Sequence, residues 1–119
     1  VLMNVGERLA VICDAAIPRE DQRAAVLARL RDTGHEVVSL SYGQLHSFAG
    51  NMLELRAADG SPVLAMSQQA RDSLEDDQCA VLAANGRIVS APIDNIEASA
   101  GGSVRCMLAE VHLPLRSHT

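Results

Sequence analysis

The sequence predicts an α/β fold in a single domain, built from about two copies of one strand-and-helix module. Three observations carry this. Short apolar runs of strand length alternate with stretches of helical composition, the same order of elements occurs twice, and 119 residues suffice for one modest core.

Residues 8–13 are a nearly continuous apolar run and form the first expected strand. Residues 18–32 follow as a helix. Pro18 suits its first turn, Glu20 and Asp21 meet the positive end of its dipole, Arg29 and Arg31 meet the negative end, and Gly34 stops it. Residues 36–40 are a second strand and complete a β-α-β unit, which ordinarily pairs its strands in parallel. After a loop through Ser41, Tyr42, Gly43 and Gln44, a third strand over 50–55 is opened by Gly50-Asn51.

Asp59-Gly60-Ser61-Pro62 signals a turn, and residues 63–66 are a fourth strand. Ser67 is a candidate N-cap for one or two short helices over 68–82, broken around Glu75-Asp76-Asp77. Asn85-Gly86 closes that region, and 87–91 is a fifth strand. A sixth over 107–113 sets Leu108, Glu110 and His112 against Met107, Ala109, Val111 and Leu113, and the tail from Pro114 should fray. Each half thus reads strand, helix, strand, strand, which divides the chain into modules of about 1–57 and 58–119.

Composition narrows the class. Hydrophobic residues make up 48% of the chain, yet Tyr42 and Phe48 are the only aromatic residues, so the core is expected from Val, Leu, Ile, Ala and Met. A formal charge of −5 argues against a nucleic-acid or anionic-membrane partner and suits a cationic small molecule. Cys13, Cys79 and Cys106 are odd in number and irregularly spaced, which fits reduced thiols in a cytoplasmic protein better than a disulfide framework. No zinc-ligand spacing is present, no cofactor motif is read, and no apolar run nears the length of a membrane span.

The chemistry is expected in one stretch, Ile96-Glu97-Ala98-Ser99-Ala100-Gly101-Gly102-Ser103-Val104-Arg105-Cys106-Met107. Small residues Ala100, Gly101, Gly102 and Ser103 let the backbone approach a ligand closely, and Cys106 follows where the loop is expected to stiffen into the sixth strand. A thiolate there is a soft nucleophile able to form and release a covalent intermediate. Arg105 neighbours it, but adjacent strand residues point to opposite faces, so Arg105 is assigned to structure or a backbone contact. The plainer reading is an ordinary turn and a cysteine buried as a small hydrophobe. A phosphate loop is a third reading, weakened because neither a helix N-terminus nor a lysine is read after the glycines.

This stretch resembles the C-terminal nucleophile motif of the guanidino-group-modifying enzymes, the superfamily of amidinotransferases, arginine deiminases and related hydrolases. Phe48-Ala49-Gly50-Asn51-Met52-Leu53-Glu54-Leu55 and Val1-Leu2-Met3 with Val5-Gly6 fit it as well, and are most similar to its citrulline-utilisation hydrolase branch. One departure is Ala100, where the family tends to carry a first glycine. The resemblance implies a five-bladed α/β propeller of β-β-α-β modules around a central channel, of which this chain would hold about two. It implies Cys106 as catalytic nucleophile, Asn51, Gly101, Gly102 and Ser103 as substrate-binding or loop residues, and a guanidino or ureido substrate resembling arginine or citrulline. For Asn51 an αL turn role is the competing reading.

A histidine must protonate the leaving amine. His35 follows a helix stop and reads as surface, His46 sits in the loop before Gly50, and His118 is in the tail. His112 shares the expected sixth strand with Cys106 but lies roughly 20 Å along it. The resemblance implies that the catalytic histidine falls just before Val1, so the chain alone is expected to be inactive. Its open edges would then associate with an N-terminal remainder or with another copy. A non-catalytic module that kept the blades and lost the chemistry is the alternative function class.

Overall fold

The computed structural model describes residues 2–111. Two three-stranded sheets form, each with a central strand paired antiparallel on one side and parallel on the other. In the first, β1 (Met3–Val5) runs antiparallel to β2 (Leu9–Ile12), which is parallel to β3 (Glu36–Ser39) across helix α1 (Glu20–Asp32). The chain then passes through α2 (Tyr42–His46). In the second sheet, β4 (Leu53–Arg56) is antiparallel to β5 (Pro62–Ser67), which is parallel to β6 (Arg87–Ala91) across α3 (Gln68–Ser73) and α4 (Asp76–Asn85). Two further helices follow, α5 (Asp94–Ala100) and α6 (Val104–Met107).

Each unit therefore reads β-β-α-β, with the α position of the second split between α3 and α4. The expected order of strand, helix, strand, strand is corrected by one element. The short apolar Met3–Val5 segment supplies the first strand, and the expected 50–55 strand, observed at Leu53–Arg56, pairs with β5 in the second sheet. A division near residue 57 would cut β4 from its partner. The break in hydrogen bonding falls between β3 and β4.

Alternation along β2 explains how the halves join. Its even residues Ala10 and Ile12 pack with Leu30, Val26 and Leu27 of α1. The odd residues Leu9 and Val11, with Cys13 beyond them, face the second unit and meet Leu64 and Met66 of β5, Ala70 of α3 and Leu82 of α4. Every residue of β2 is consequently buried, as a strand covered on both faces must be. The buried hydrophobic set is Leu, Ala, Val, Ile, Cys and Met without an aromatic, the core expected from composition.

Polar contacts then fix the angle between units. Gln44 donates from Nε2 to the Ser73 carbonyl at 2.9 Å, and Gln78 donates to the Ser39 carbonyl at 2.8 Å. Glu54 accepts from the Glu7 backbone N–H at 2.8 Å, and Arg56 pairs with Glu7. His35, expected at the surface, is half-buried: its Nε2 lies 2.9 Å from the Gly6 carbonyl and its Nδ1 lies 2.8 Å from Thr33 Oγ1.

Three sequence expectations change. Helix α1 begins at Glu20, so Pro18 precedes its Arg19 N-cap and lies outside the first turn. The expected loop at Ser41–Gln44 is the start of α2, closed by a capping box in which the Ser41 side chain accepts from the Gln44 N–H and Gln44 returns a bond to the Ser41 N–H. The expected sixth strand does not form from residue 107 through 111: Met107 ends α6, and 108–111 carry no regular structure. Its last two residues, with the tail from Pro114, lie outside the described residues.

Candidate active site

Asn51 and Cys106 are 55 positions apart and meet through a hydrogen bond, Asn51 Nδ2 donating to Cys106 Sγ at 3.1 Å. Each is delivered by the connection that leaves one of the sheets.

The Asn51 connection is the stiffer. Helix α2 ends in a Schellman-type turn, with the Ala49 N–H bonded to the Gln44 carbonyl and the Phe48 N–H to that of Leu45. Phe48 occupies the left-handed position at φ 65°, where glycine is usual. Its carbonyl then accepts from the Asn51 N–H at 2.9 Å, while Asn4 of β1 donates to the Gly50 carbonyl at 3.2 Å. Asn51 is thereby 97% buried. An αL turn residue was one expectation for Asn51. The left-handed residue is Phe48, and Asn51 uses its side chain to bridge.

Both ends of that amide are committed. Asn51 Oδ1 accepts from the Arg105 N–H at 3.0 Å, which turns Nδ2 toward the sulfur and leaves no ambiguity about which end faces the thiol. Arg105 bonds the Met52 carbonyl through Nη1 at 3.2 Å. This bears out its assignment to a backbone contact, reached from a helix and not from a strand.

On the other side, α5 runs through residues expected to be loop. It has acidic residues Asp94 and Glu97 in its first turn, and Gly101 ends it in the left-handed conformation at φ 70°. A proline before the segment and a glycine after it were the available signals. Ser103 then starts the single turn of α6 that carries Cys106, whose N–H bonds the Ser103 carbonyl. Arg105 and the Asn51 side chain pull this segment onto the first connection, which is why a short apolar run that is ambiguous by pattern resolves as helix.

Gly102 lies against the thiol. A β-carbon there would come within 3.1 Å of Cys106 Cβ and 3.2 Å of Sγ. Ser103 is fully buried and donates from Oγ to Glu97 Oε2 at 2.8 Å. Gly102 and Ser103 thus lie beside the cysteine, and Gly101 caps α5, so that the three form a cap and turn between two helices.

Among the three cysteines only Cys106 is exposed. The Asn51 amide N–H foremost, and a backbone hydrogen bond with Ser103, hold its thiol below the usual cysteine range, with the Arg105 charge a lesser contributor. A donor aimed at sulfur favours the thiolate, the nucleophilic form. His35 is occupied as described, and His46 ends α2 exposed; neither is a hydrogen-bond partner of Cys106. His112 and His118 lie outside the described residues, and the strand that would have distanced His112 from the cysteine is absent through Val111. No group of three or more His, Cys, Asp or Glu gathers as metal ligands among the described residues, nor is any helix there long and apolar enough to cross a membrane.

Two β-β-α-β units with an exposed cysteine at the end of a glycine turn are compatible with the fold of the guanidino-group-modifying enzymes. Within that class the chain belongs to the eukaryotic N,N dimethylarginine dimethylhydrolase family, whose sequence model matches residues 1–113. It is thereby a member of a family of hydrolases of guanidino compounds, and the superfamily resemblance read from its motifs is borne out. No curated protein matches the chain.

Proposed function

We propose that Cys106 is the nucleophile in hydrolysis of an arginine methylated on a guanidino nitrogen, the substrate class in the family's name. The observation that carries this reading is the Asn51 Nδ2 to Cys106 Sγ bond at 3.1 Å on an exposed thiol backed by Gly102. The thiolate attacks the guanidinium carbon and forms a C–S bond. The bond from that carbon to the methylated nitrogen breaks, and dimethylamine leaves with a proton from a general acid. Water then gives a proton back to that general acid as it adds to the thiouronium carbon, the C–S bond breaks, and a ureido product departs with release of a second proton while the thiolate is restored. Use of water and not an acceptor amine makes the protein a hydrolase.

In this reading the two units are modules of a five-bladed propeller, and the general acid–base histidine and the carboxylates that hold the cation come from other modules. The 119-residue chain alone is expected to lack turnover, because loss of an acid–base group typically reduces rate about 10²–10⁴-fold. Reduced thiols at Cys13, Cys79 and Cys106 suit a cytoplasmic setting.

The test is incubation of the protein, alone and with the remaining modules supplied, with N,N-dimethylarginine, followed by detection of dimethylamine and ureido product. Mass spectrometry of the quenched reaction should find the substrate fragment on Cys106. Turnover that persists in Cys106→Ala, or an adduct on Cys79, would overturn the assignment.

A further inference from the structure

We infer that Glu97 is a positioning residue for the nucleophile: its buried carboxylate clamps Ser103 and so sets the distance of the Gly102–Ser103 turn from the Cys106 sulfur. The inference rests on the reading of Cys106 as the nucleophile.

Glu97 holds both ends of the glycine turn. Its carbonyl accepts from the Gly101 N–H at 3.1 Å, and its side-chain Oε2 accepts from Ser103 Oγ at 2.8 Å. The two residues bracket Gly102, which sits so close to Cys106 Cβ and Sγ that a β-carbon there would push the cysteine by a few tenths of an ångström. A displacement of a few tenths of an ångström at Ser103 therefore reaches the thiol directly. Ser103 also starts α6, yet its hydroxyl makes no capping bond to that helix and is spent on Glu97 instead.

The second observation is that Glu97 is a poor choice for folding alone. It is 97% buried, and its Oε1 is buried with no hydrogen-bond partner among the described residues. Buried polar groups are ordinarily satisfied, and departures gather where function constrains the residue. A carboxylate is the stronger acceptor for a hydroxyl, since charge-assisted bonds are shorter and more directional. The stronger bond holds the turn rigidly behind a sulfur that must stay in one place through attack and release.

The experiment compares Glu97→Ala, Glu97→Gln, Ser103→Ala and the Glu97→Ala/Ser103→Ala double variant with the wild-type protein. Two readouts are taken: the pH dependence of Cys106 alkylation by iodoacetamide, and kcat and KM with N,N-dimethylarginine in the assembled enzyme. Glu97→Ala and Ser103→Ala should each raise the alkylation midpoint, leaving about 3- to 10-fold less thiolate at neutral pH. Each should lower kcat about 10- to 100-fold with KM within about 3-fold. The double variant should be no worse than either single one, because the pair acts as a unit. Glu97→Gln keeps a neutral, weaker acceptor for Ser103 and should fall between Glu97→Ala and the wild type in both values.

An unchanged midpoint and kcat in Glu97→Ala, or additive losses in the double variant, would overturn the inference. Should Glu97→Ala unfold, seen as rapid labelling of buried Cys13, Ser103→Ala and Glu97→Gln carry the same test. A midpoint that shifts in a protein without hydrolase activity would fail the proposed reaction and sustain the clamp. Turnover with an unmoved midpoint would do the reverse.

Discussion

The connections that leave the two sheets begin alike and end differently. After β3 the chain makes α2, a left-handed turn at Phe48 and Asn51; after β6 it makes α5, a left-handed turn at Gly101 and Cys106. The first ends in a side chain that is 97% buried and bonded at both ends of its amide. The second ends in an exposed thiol. In the proposed reaction one repeat thus supplies the fixed support and the other the nucleophile, and the proposed site lies where they meet. A nucleophile must be reachable by substrate, so it cannot be immobilised by burial. The buried partner immobilises it.

The largest expected effect comes from removing the reactive half. In the assembled enzyme Cys106→Ala should reduce turnover by at least about 10³-fold, while the melting temperature of the chain stays near that of the wild type because the side chain is exposed. Activity assay and thermal melt together check this. A large loss of stability would mean that the second connection is structural in the way the first is.

Cutting under the support should act in the opposite sense. Met52 is fully buried directly after Asn51, and Met52→Ala should cost about 2–5 kcal/mol by denaturant titration. By contrast Val89 of β6 is exposed, and Val89→Ala should fall within about 0.5 kcal/mol.

Asn51 joins the two halves, so its variants sharpen the comparison. Asn51→Ala removes the donor to sulfur and the acceptor for the Arg105 N–H, and should destabilise by about 1–3 kcal/mol. It should also return the thiol toward the ordinary cysteine range. The sign follows from the bond: a donor to sulfur stabilises the thiolate, so the folded thiol ionises at lower pH, and losing the donor moves the alkylation midpoint up. Asn51→Asp keeps the Arg105 acceptor but places negative charge beside the sulfur. It should move the midpoint higher than Asn51→Ala does, and a lower midpoint would show that the amide does not face the thiol.

The smallest effect is one of order. Iodoacetamide should label Cys106 first, half-buried Cys79 more slowly and buried Cys13 last in native protein, followed by peptide mapping. Equal rates would erase the distinction between the exposed connection and the core.

Local signals by themselves determined much of the scaffold. The strand within 8–13, the charge-ordered helix, shorter at its start and running Glu20–Asp32, Ser67 as N-cap and the break at Glu75-Asp76-Asp77 were all readable from the chain alone, because caps, dipoles and alternation act over a few residues. The small-residue turn before Cys106 was legible too, since consecutive glycines are distinctive in composition. Ser41-x-x-Gln44 was a legible helix start that a loop reading passed over. What only the tertiary structure decided is pairing. Whether 50–55 belongs with the strands before or after it depends on a hydrogen-bond partner ten residues away, and β5 provides it. Whether Val104-Arg105-Cys106-Met107 extends or coils depends on Asn51, far back in the chain, accepting the Arg105 N–H. That Glu97 is a buried clamp and not a solvated helix residue depends on Ser103 folding back to meet it. A four-residue segment has too few internal bonds to choose its own conformation, so the segment that holds Cys106 takes its own from contacts that close only when both units are packed.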